Sequence, residues 1–231
     1  NVDIVVELTG SPVAEAIIQE ALWNGKCVVT ANKAVISRTG YELIKLAQSR
    51  GTVLAYEAAV GGGMPIVQMM GTSIGGRVTG IQAILNGTTN FILSRMRDAT
   101  SDASRDSETV YPAALCAATH AGLAEADPSA DVLGEDARSK LIILSGLAFG
   151  IRLRPKDIYV RGIARKGRRT IPKHLPKEAF HSCPGSSVPC DHTCAGDDHL
   201  ATESIFTASD LEVLKSLGYI PKLLAGAQRH L

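Results

Sequence analysis

Apolar runs and amphipathic stretches alternate along the first part of the chain. Ile4–Leu8, Cys27–Thr30 and Val53–Tyr56 are short and almost continuously apolar, as strands of a buried parallel sheet are, whereas Pro12–Asn24 and Gly40–Arg50 carry apolar residues at helical spacing. Pro12 suits a first helical turn, and Gly25 and Gly51 suit the stops that follow each helix. This rhythm predicts βαβ units in a parallel sheet, about half of a Rossmann-like domain over residues 1–56.

The rhythm changes after the glycines at 61–63. Pro65–Ser73 reads as a helix, Val78–Leu85 as a strand and Asn90–Arg97 as a helix, with Asn86-Gly-Thr-Thr-Asn90 opening that helix and Thr88 or Thr89 as its cap. Residues 101–109 are polar and lack apolar periodicity, which predicts a surface loop. Tyr111–Ala121 and Asp136–Phe149 read as helices, the second apolar on several faces, and Val160–Ile163 as a short strand. The fold class expected is α/β: a partial parallel sheet followed by an α+β domain spanning 57–163 and continuing over 205–231.

Composition narrows the partners. The 231 residues are 45% hydrophobic, enough for a sizeable core, and 24 Lys plus Arg balance 23 Asp plus Glu, so no global field attracts nucleic acid or an anionic membrane. No apolar run reaches the roughly 18 residues of a membrane span. Cys27 and Cys116 lie in apolar segments as inert thiols, and the scattered cysteines fit a reducing compartment: the cytoplasm or, in a plant, the plastid stroma. Residues 164–204 break with the rest, holding four of the ten prolines, three of the five cysteines and four of the six histidines without any period. They read as an irregular insertion. Arg165-Lys-Gly-Arg-Arg169 has no interleaved aromatics, as in a solvated turn, and Cys183, Cys190, His192 and Cys194 lack the paired knuckles of a structural zinc site, which leaves a metal-binding interaction module as a minor alternative.

The densest chemistry lies between Gly122 and Lys140, where Glu125, Asp127, Asp131, Glu135 and Asp136 precede one lysine at the start of a hydrophobic helix. Asp136 and Lys140 are one turn apart on one face, so they can pair or jointly grip a zwitterion; the competing reading is a solvated helix N-terminus that favours acids. Three further blocks precede this segment: Val28-Val-Thr-Ala-Asn-Lys-Ala34, Tyr56-Glu-Ala-Ala-Val-Gly-Gly-Gly-Met-Pro65 and Asn86-Gly-Thr-Thr-Asn90. Together the four blocks resemble homoserine dehydrogenase. The resemblance covers roughly residues 1–98 and 113–163 and resumes at Phe206-Thr-Ala-Ser-Asp-Leu and Leu217-Gly-Tyr-Ile-Pro-Lys-Leu-Leu224.

That resemblance implies an NAD- or NADP-dependent oxidoreductase that interconverts L-aspartate 4-semialdehyde and L-homoserine, on the route to threonine, methionine and isoleucine, and that works as a homodimer. It implies that Lys140 donates a proton to the aldehyde oxygen, at a place where burial opposes an ammonium's charge, and that Lys33 stands near the nicotinamide and the reacting carbonyl. Glu125 and Asp136, supported by Asp131, match the substrate-binding acids. Thr9 and Gly10 match a cofactor-contacting turn whose crevice Thr30 to Asn32 would also line, and Gly122 a close approach to cofactor or substrate, although a helix C-cap explains Gly122 locally. Glu57, with the backbone at Val60, Gly62 and Met64, matches a sodium loop; a glycine-rich hinge is the alternative. Val2–Leu8 reads as a strand entered in mid-domain, with the family's glycine-rich dinucleotide fingerprint expected ahead of it, so a catalytically inactive, dimerising remnant is a second alternative. Choice between NAD and NADP is not legible, because the residues that read the ribose follow that fingerprint.

Overall fold

The computed structural model describes residues 2–74, 78–99, 107–166, 202–204 and 225–228. The chain forms two compact units, the first from Asn1–Leu85, Asp136–Tyr159 and Ala225–Leu231, the second from Asn86–Glu135 and Val160–Leu224.

The first unit opens with the predicted βαβ rhythm. Strands β1 (Ile4–Glu7), β2 (Cys27–Thr30) and β3 (Leu54–Ala55) form a parallel sheet in the order β1-β2-β3, linked by helices α1 (Ala14–Trp23) and α2 (Lys33–Ser49). Gly25 and Gly51 take φ of 71° and 63°, the left-handed conformation that ends each helix without a Cβ penalty. Pro12 lies just ahead of α1 rather than inside its first turn. Helix α2 begins seven residues before Gly40, because the Asn32 side chain accepts the Val35 N–H at 3.1 Å and caps it there.

Registry explains which residues make the core. Val5 pairs with Val28, and Val28 with Leu54, so these three share the face that packs on Ile18, Leu22, Val35 and Leu43. Each such buried Leu or Ile contributes about 1.5–3 kcal/mol. Ile4, Val6, Leu8, Val29 and Val53 are exposed. The continuous apolar runs are therefore covered on one face only by the described residues, and the expectation of fully buried strands holds for half of each strand.

A second cluster in the same unit joins Ile36, Tyr56, Ala59, Val60 and Met70 to Ile143, Leu144 and Ala148 of α7 (Glu135–Phe149). The predicted helix at 65–73 is a single α turn, α3 (Ile66–Met69), continued by a wider π turn over Met70–Ile74. Strand β4 (Gly80–Ala83) pairs antiparallel with β7 (Ala225–Gln228).

The second unit is mainly helical. Helices α4 (Gly87–Ala99), α5 (Ser107–His120) and α6 (Ser129–Val132) bury Ile92, Leu93, Met96, Val110, Tyr111, Ala118 and Val132 together with Ile163. Three local expectations are corrected here. Helix α5 extends back to Ser107, into the segment read as a loop. Residues 160–163 form no strand, since the Ile163 N–H is taken by the Val132 carbonyl at 2.8 Å; the strand β5 is Ala164–Lys166, paired antiparallel with β6 (Thr202–Ser204). The ends of the irregular stretch are thus in a sheet, whereas its interior, including Cys183, Cys190, His192 and Cys194, lies outside the described residues.

Candidate active site

In the first unit a buried carboxylate collects two ammonium groups. Asp136, 4% exposed, accepts from Lys33 Nζ on Oδ1 and from Lys140 Nζ on Oδ2, each at 2.9 Å. Helix geometry supplies the second contact, since Asp136 and Lys140 are one turn apart on α7. The first contact depends on the tertiary fold: the Asn32 cap starts α2 immediately before Lys33, beyond the carboxyl edge of β2. Lys140 also donates to the Leu85 carbonyl at 2.8 Å.

This arrangement has spare donors. An ammonium has three N–H groups, so among the described residues Lys140 keeps one and Lys33 keeps two. Two cations on one anion leave a net positive centre, suited to a carbonyl oxygen or a developing alkoxide. The two lysines differ in access, with side chains 18% exposed for Lys140 and 43% for Lys33.

Two turns lie at the carboxyl edge of β1 and β2. Thr9 and Gly10, the latter at φ 63°, follow β1; Thr30 ends β2, and Ala31 and Asn32 follow it. Glu7 ties them together. Its Oε1 accepts the Thr9 N–H and hydroxyl at 2.8 and 2.7 Å, and its Oε2 accepts the Thr30 hydroxyl at 3.0 Å. Burial pushes the Glu7 carboxyl up, but hydrogen bonds from Thr9, Thr30 and Asn32 outweigh it and hold the group below the ordinary carboxylate value.

The Glu57 loop belongs to this unit as well. The Glu57 carboxylate accepts the Val67 N–H at 2.7 Å and the Gln68 N–H at 2.9 Å, capping α3 with both oxygens. Its own carbonyl accepts from Val60 and Gly61, and that of Met64 from Ile66. The carbonyls of Val60 and Gly62 accept no hydrogen bond among the described residues. Such a loop suits a hard cation through backbone oxygens rather than through the Glu57 side chain. Among the described residues no cluster of three or more His, Cys, Asp or Glu could hold a metal ion. Tyr56, just before the loop, has its hydroxyl pushed above its ordinary value by burial and by the neighbouring Glu57 charge.

The remaining predicted residues are in the second unit. Asp131 Oδ1 accepts from Asn86 Nδ2 at 2.6 Å, while Asn86 Oδ1 accepts the Thr89 N–H at 2.7 Å. Asn86, not Thr88 or Thr89, therefore caps α4, and the Thr88 hydroxyl donates instead to the Leu123 carbonyl at 2.7 Å. Glu125 is exposed and has no hydrogen-bonding or ionic partner among the described residues. Gly122, at φ 68°, donates to the Thr119 carbonyl while Leu123 donates to that of Ala118, the Schellman pairing of a helix C-cap. This is the local reading of Gly122 as a helix C-cap. The sequence pattern marks neither a role for Glu7 nor the Lys33–Asp136 pair, and it offers Thr88 or Thr89 in place of Asn86 as the cap; a lone acid at the end of an apolar strand, two residues before Thr9-Gly10, is the available signal for Glu7.

A family model described as homoserine dehydrogenase matches residues 65–230, and one described as the homoserine dehydrogenase NAD binding domain matches residues 1–57. The chain belongs to the homoserine dehydrogenase family. A homoserine dehydrogenase of Synechocystis sp. is 46% identical over 165 residues, which is 71% of this chain and 36% of that protein. The crystal structure of a homoserine dehydrogenase from Thiobacillus denitrificans superposes with a TM-score of 0.74 at 34% identity, covering 99% of this chain and 42% of that one. A hyperthermophilic archaeal homoserine dehydrogenase in complex with NADPH gives a TM-score of 0.58 at 30% identity, over 65% of this chain and 44% of that one. The chain spans little more than a third of the length of the curated relatives it matches. Among the described residues no helix is long and apolar enough to cross a membrane.

Proposed function

We propose that this protein carries out the nicotinamide-dependent interconversion of L-aspartate 4-semialdehyde and L-homoserine, and so serves threonine, methionine and isoleucine synthesis. The observation that carries this reading is the pair of lysines held on one buried carboxylate at the edge of a parallel sheet, in a chain of this family. A bound NADP or NAD would supply the hydride. Residues 1–56 would hold part of that nucleotide, with Thr9, Gly10, Lys33 and Gly122 as the residues that contact it; 57–163 and 205–231 would form the substrate-binding and dimerisation domain.

Lys140 protonates the aldehyde oxygen as the alkoxide forms, using the N–H that neither Asp136 nor the Leu85 carbonyl occupies. Lys33 orients the carbonyl. Asp136 keeps both ammonium groups in place, and Glu125, exposed and without a competing partner among the described residues, receives the substrate ammonium. Asp131 acts through Asn86, its hydrogen-bonded neighbour. A sodium ion would sit among the carbonyls of Val60, Gly62 and Met64, with the Glu57 carboxylate shaping the loop as the cap of α3. The enzyme would work as a homodimer in the cytoplasm or, in a plant, the plastid stroma.

The test is NADPH consumption on addition of L-aspartate 4-semialdehyde, with homoserine identified as product. Consumption without homoserine, or none at all from folded protein, removes this reading.

A further inference from the structure

Glu7 is 3% exposed, and among the described residues no ammonium or guanidinium pairs with it. What surrounds it is a set of donors whose direction is forced. The Ser11 N–H donates to Thr9 Oγ1 at 3.1 Å, and the Asn32 N–H donates to Thr30 Oγ1 at 3.0 Å. A backbone N–H can only donate, so each hydroxyl accepts there and turns its own hydrogen towards Glu7. The Thr9 N–H adds a third donor. Two relays, one per turn, therefore run backbone N–H to hydroxyl to carboxylate, and an ionised carboxylate, which only accepts, suits this ring of donors with no proton of its own to place.

The relays end at structures that matter to the site. One fixes the turn through Thr9, Gly10 and Ser11 that leads to α1. The other fixes Thr30 to Asn32, and Asn32 caps the helix whose first residue is Lys33. The backbone carbonyl of Glu7 reinforces the second turn by accepting the Ala31 N–H at 3.4 Å. Against the opposing effect of burial, the same hydrogen bonds hold the Glu7 carboxyl below its ordinary value, which favours the ionised, acceptor-only form. Both turns lie at the carboxyl edge of parallel strands, where open α/β sheets bind their ligands.

We propose that Glu7 is a positioning residue: as a carboxylate it locks the turns after β1 and β2 into one geometry, and that geometry sets affinity for the nicotinamide nucleotide. The affinity part rests on the reading above, in which Thr9 and Gly10 face the nucleotide. A simple packing role would leave the two turns independent of each other. The carboxylate couples them.

Glu7→Gln keeps the shape and replaces one acceptor oxygen with a donor. In the full chain it should speed amide exchange at both Thr9 and Asn32 by about tenfold or more, and weaken NADPH binding by a similar factor, as expected for a bond to a charged acceptor. The Michaelis constant for aspartate semialdehyde should change less than NADPH affinity does, since Lys33, although it follows the Asn32 cap, keeps its ion pair with Asp136. Thr30→Val cuts one relay and should free Asn32 alone, with a smaller loss of NADPH affinity; it carries the test if Glu7→Gln does not fold. Unchanged NADPH affinity in folded Glu7→Gln, or faster exchange confined to Thr9, overturns the proposal. Unaltered protein that neither binds NADPH nor consumes it overturns the proposed function instead, and the exchange pattern at Thr9 and Asn32 then still decides whether Glu7 locks the turns.

Discussion

The two compact units bury polarity in different ways. The first buries charge: Asp136 and Glu7 are 4% and 3% exposed, one satisfied by two ammonium groups and the other by neutral donors. The second buries neutral groups and backbone. Asn86, Thr88 and Thr89 are hydrogen-bonded within it, and residues 160–163 lie directly on the loop after α6, where a Cβ on Gly162 would collide with the Val132 carbonyl oxygen. The difference teaches where each unit is vulnerable. Losing a buried charge partner disables chemistry or shifts pH behaviour, whereas losing backbone contact in the second unit costs stability first.

Lys140→Ala should give the largest effect. A proton donor contributes about 10²–10⁴-fold, so turnover should fall in that range while the Michaelis constant and melting temperature stay near those of the unaltered protein, because Lys33 still holds Asp136. Wild-type turnover would end the assignment of Lys140 as donor. Gly162→Ala reverses the pattern. Its Cβ would also meet Leu133 Cα at 2.6 Å, so urea melts should show a loss of about 1–3 kcal/mol, the usual cost of forced overpacking. Unchanged stability would mean that this backbone approach is loose.

Glu125→Ala tests the same contrast on one exposed side chain. With no partner to lose among the described residues, stability should shift by less than about 0.5 kcal/mol, while the Michaelis constant for aspartate semialdehyde rises about tenfold. A drop in melting temperature without a change in that constant would make Glu125 a structural residue. Smaller still is the effect of Glu57→Ala, which strips two N–H groups of α3 of their acceptor and should cost about 1 kcal/mol. Sodium titration of the same variant distinguishes a hinge, which ignores the ion, from a cation loop.

The pH dependence of stability follows from two groups of the first unit. Glu7 is held below its ordinary 4.5, so its contribution is complete above that pH and disappears as pH falls through the lower folded value. Tyr56 is raised above 10.0, so its contribution is complete below that pH and is lost as pH rises through the higher folded value. Urea melts across pH should show both limbs, and Glu7→Gln should flatten only the acidic one. An acidic limb that survives Glu7→Gln would assign it to other carboxylates.

Much of the first unit was legible along the chain. β2 falls at the residues its apolar run marks, and Gly25 and Gly51 end their helices as expected. The start of α2 was missed because an Asn cap ahead of Lys33 outweighs the weak periodicity before Gly40. In the second unit, Asn86 was passed over as a cap because two threonines beside it are equally good candidates on composition. Residues 160–163 failed as a strand for a different reason: their apolar character serves contact with the loop after α6, not a ladder.

What the sequence determined by itself is local or motif-borne: the βαβ rhythm, the helix stops, the Asp136–Lys140 spacing and the four blocks that place the chain in its family. These depend on residues within one or two turns of each other, where backbone geometry alone dictates neighbours. The tertiary structure decided which groups meet across the chain. Asn86 finds Asp131 over 45 residues, Lys140 finds the Leu85 carbonyl over 55, Lys33 reaches Asp136, and Thr30 turns its hydroxyl to Glu7 across the sheet. No period or spacing encodes those meetings, because buried charges and hydroxyls take whichever partners the packing of strands and helices brings within reach, and the cost of leaving them unpaired then holds the arrangement in place.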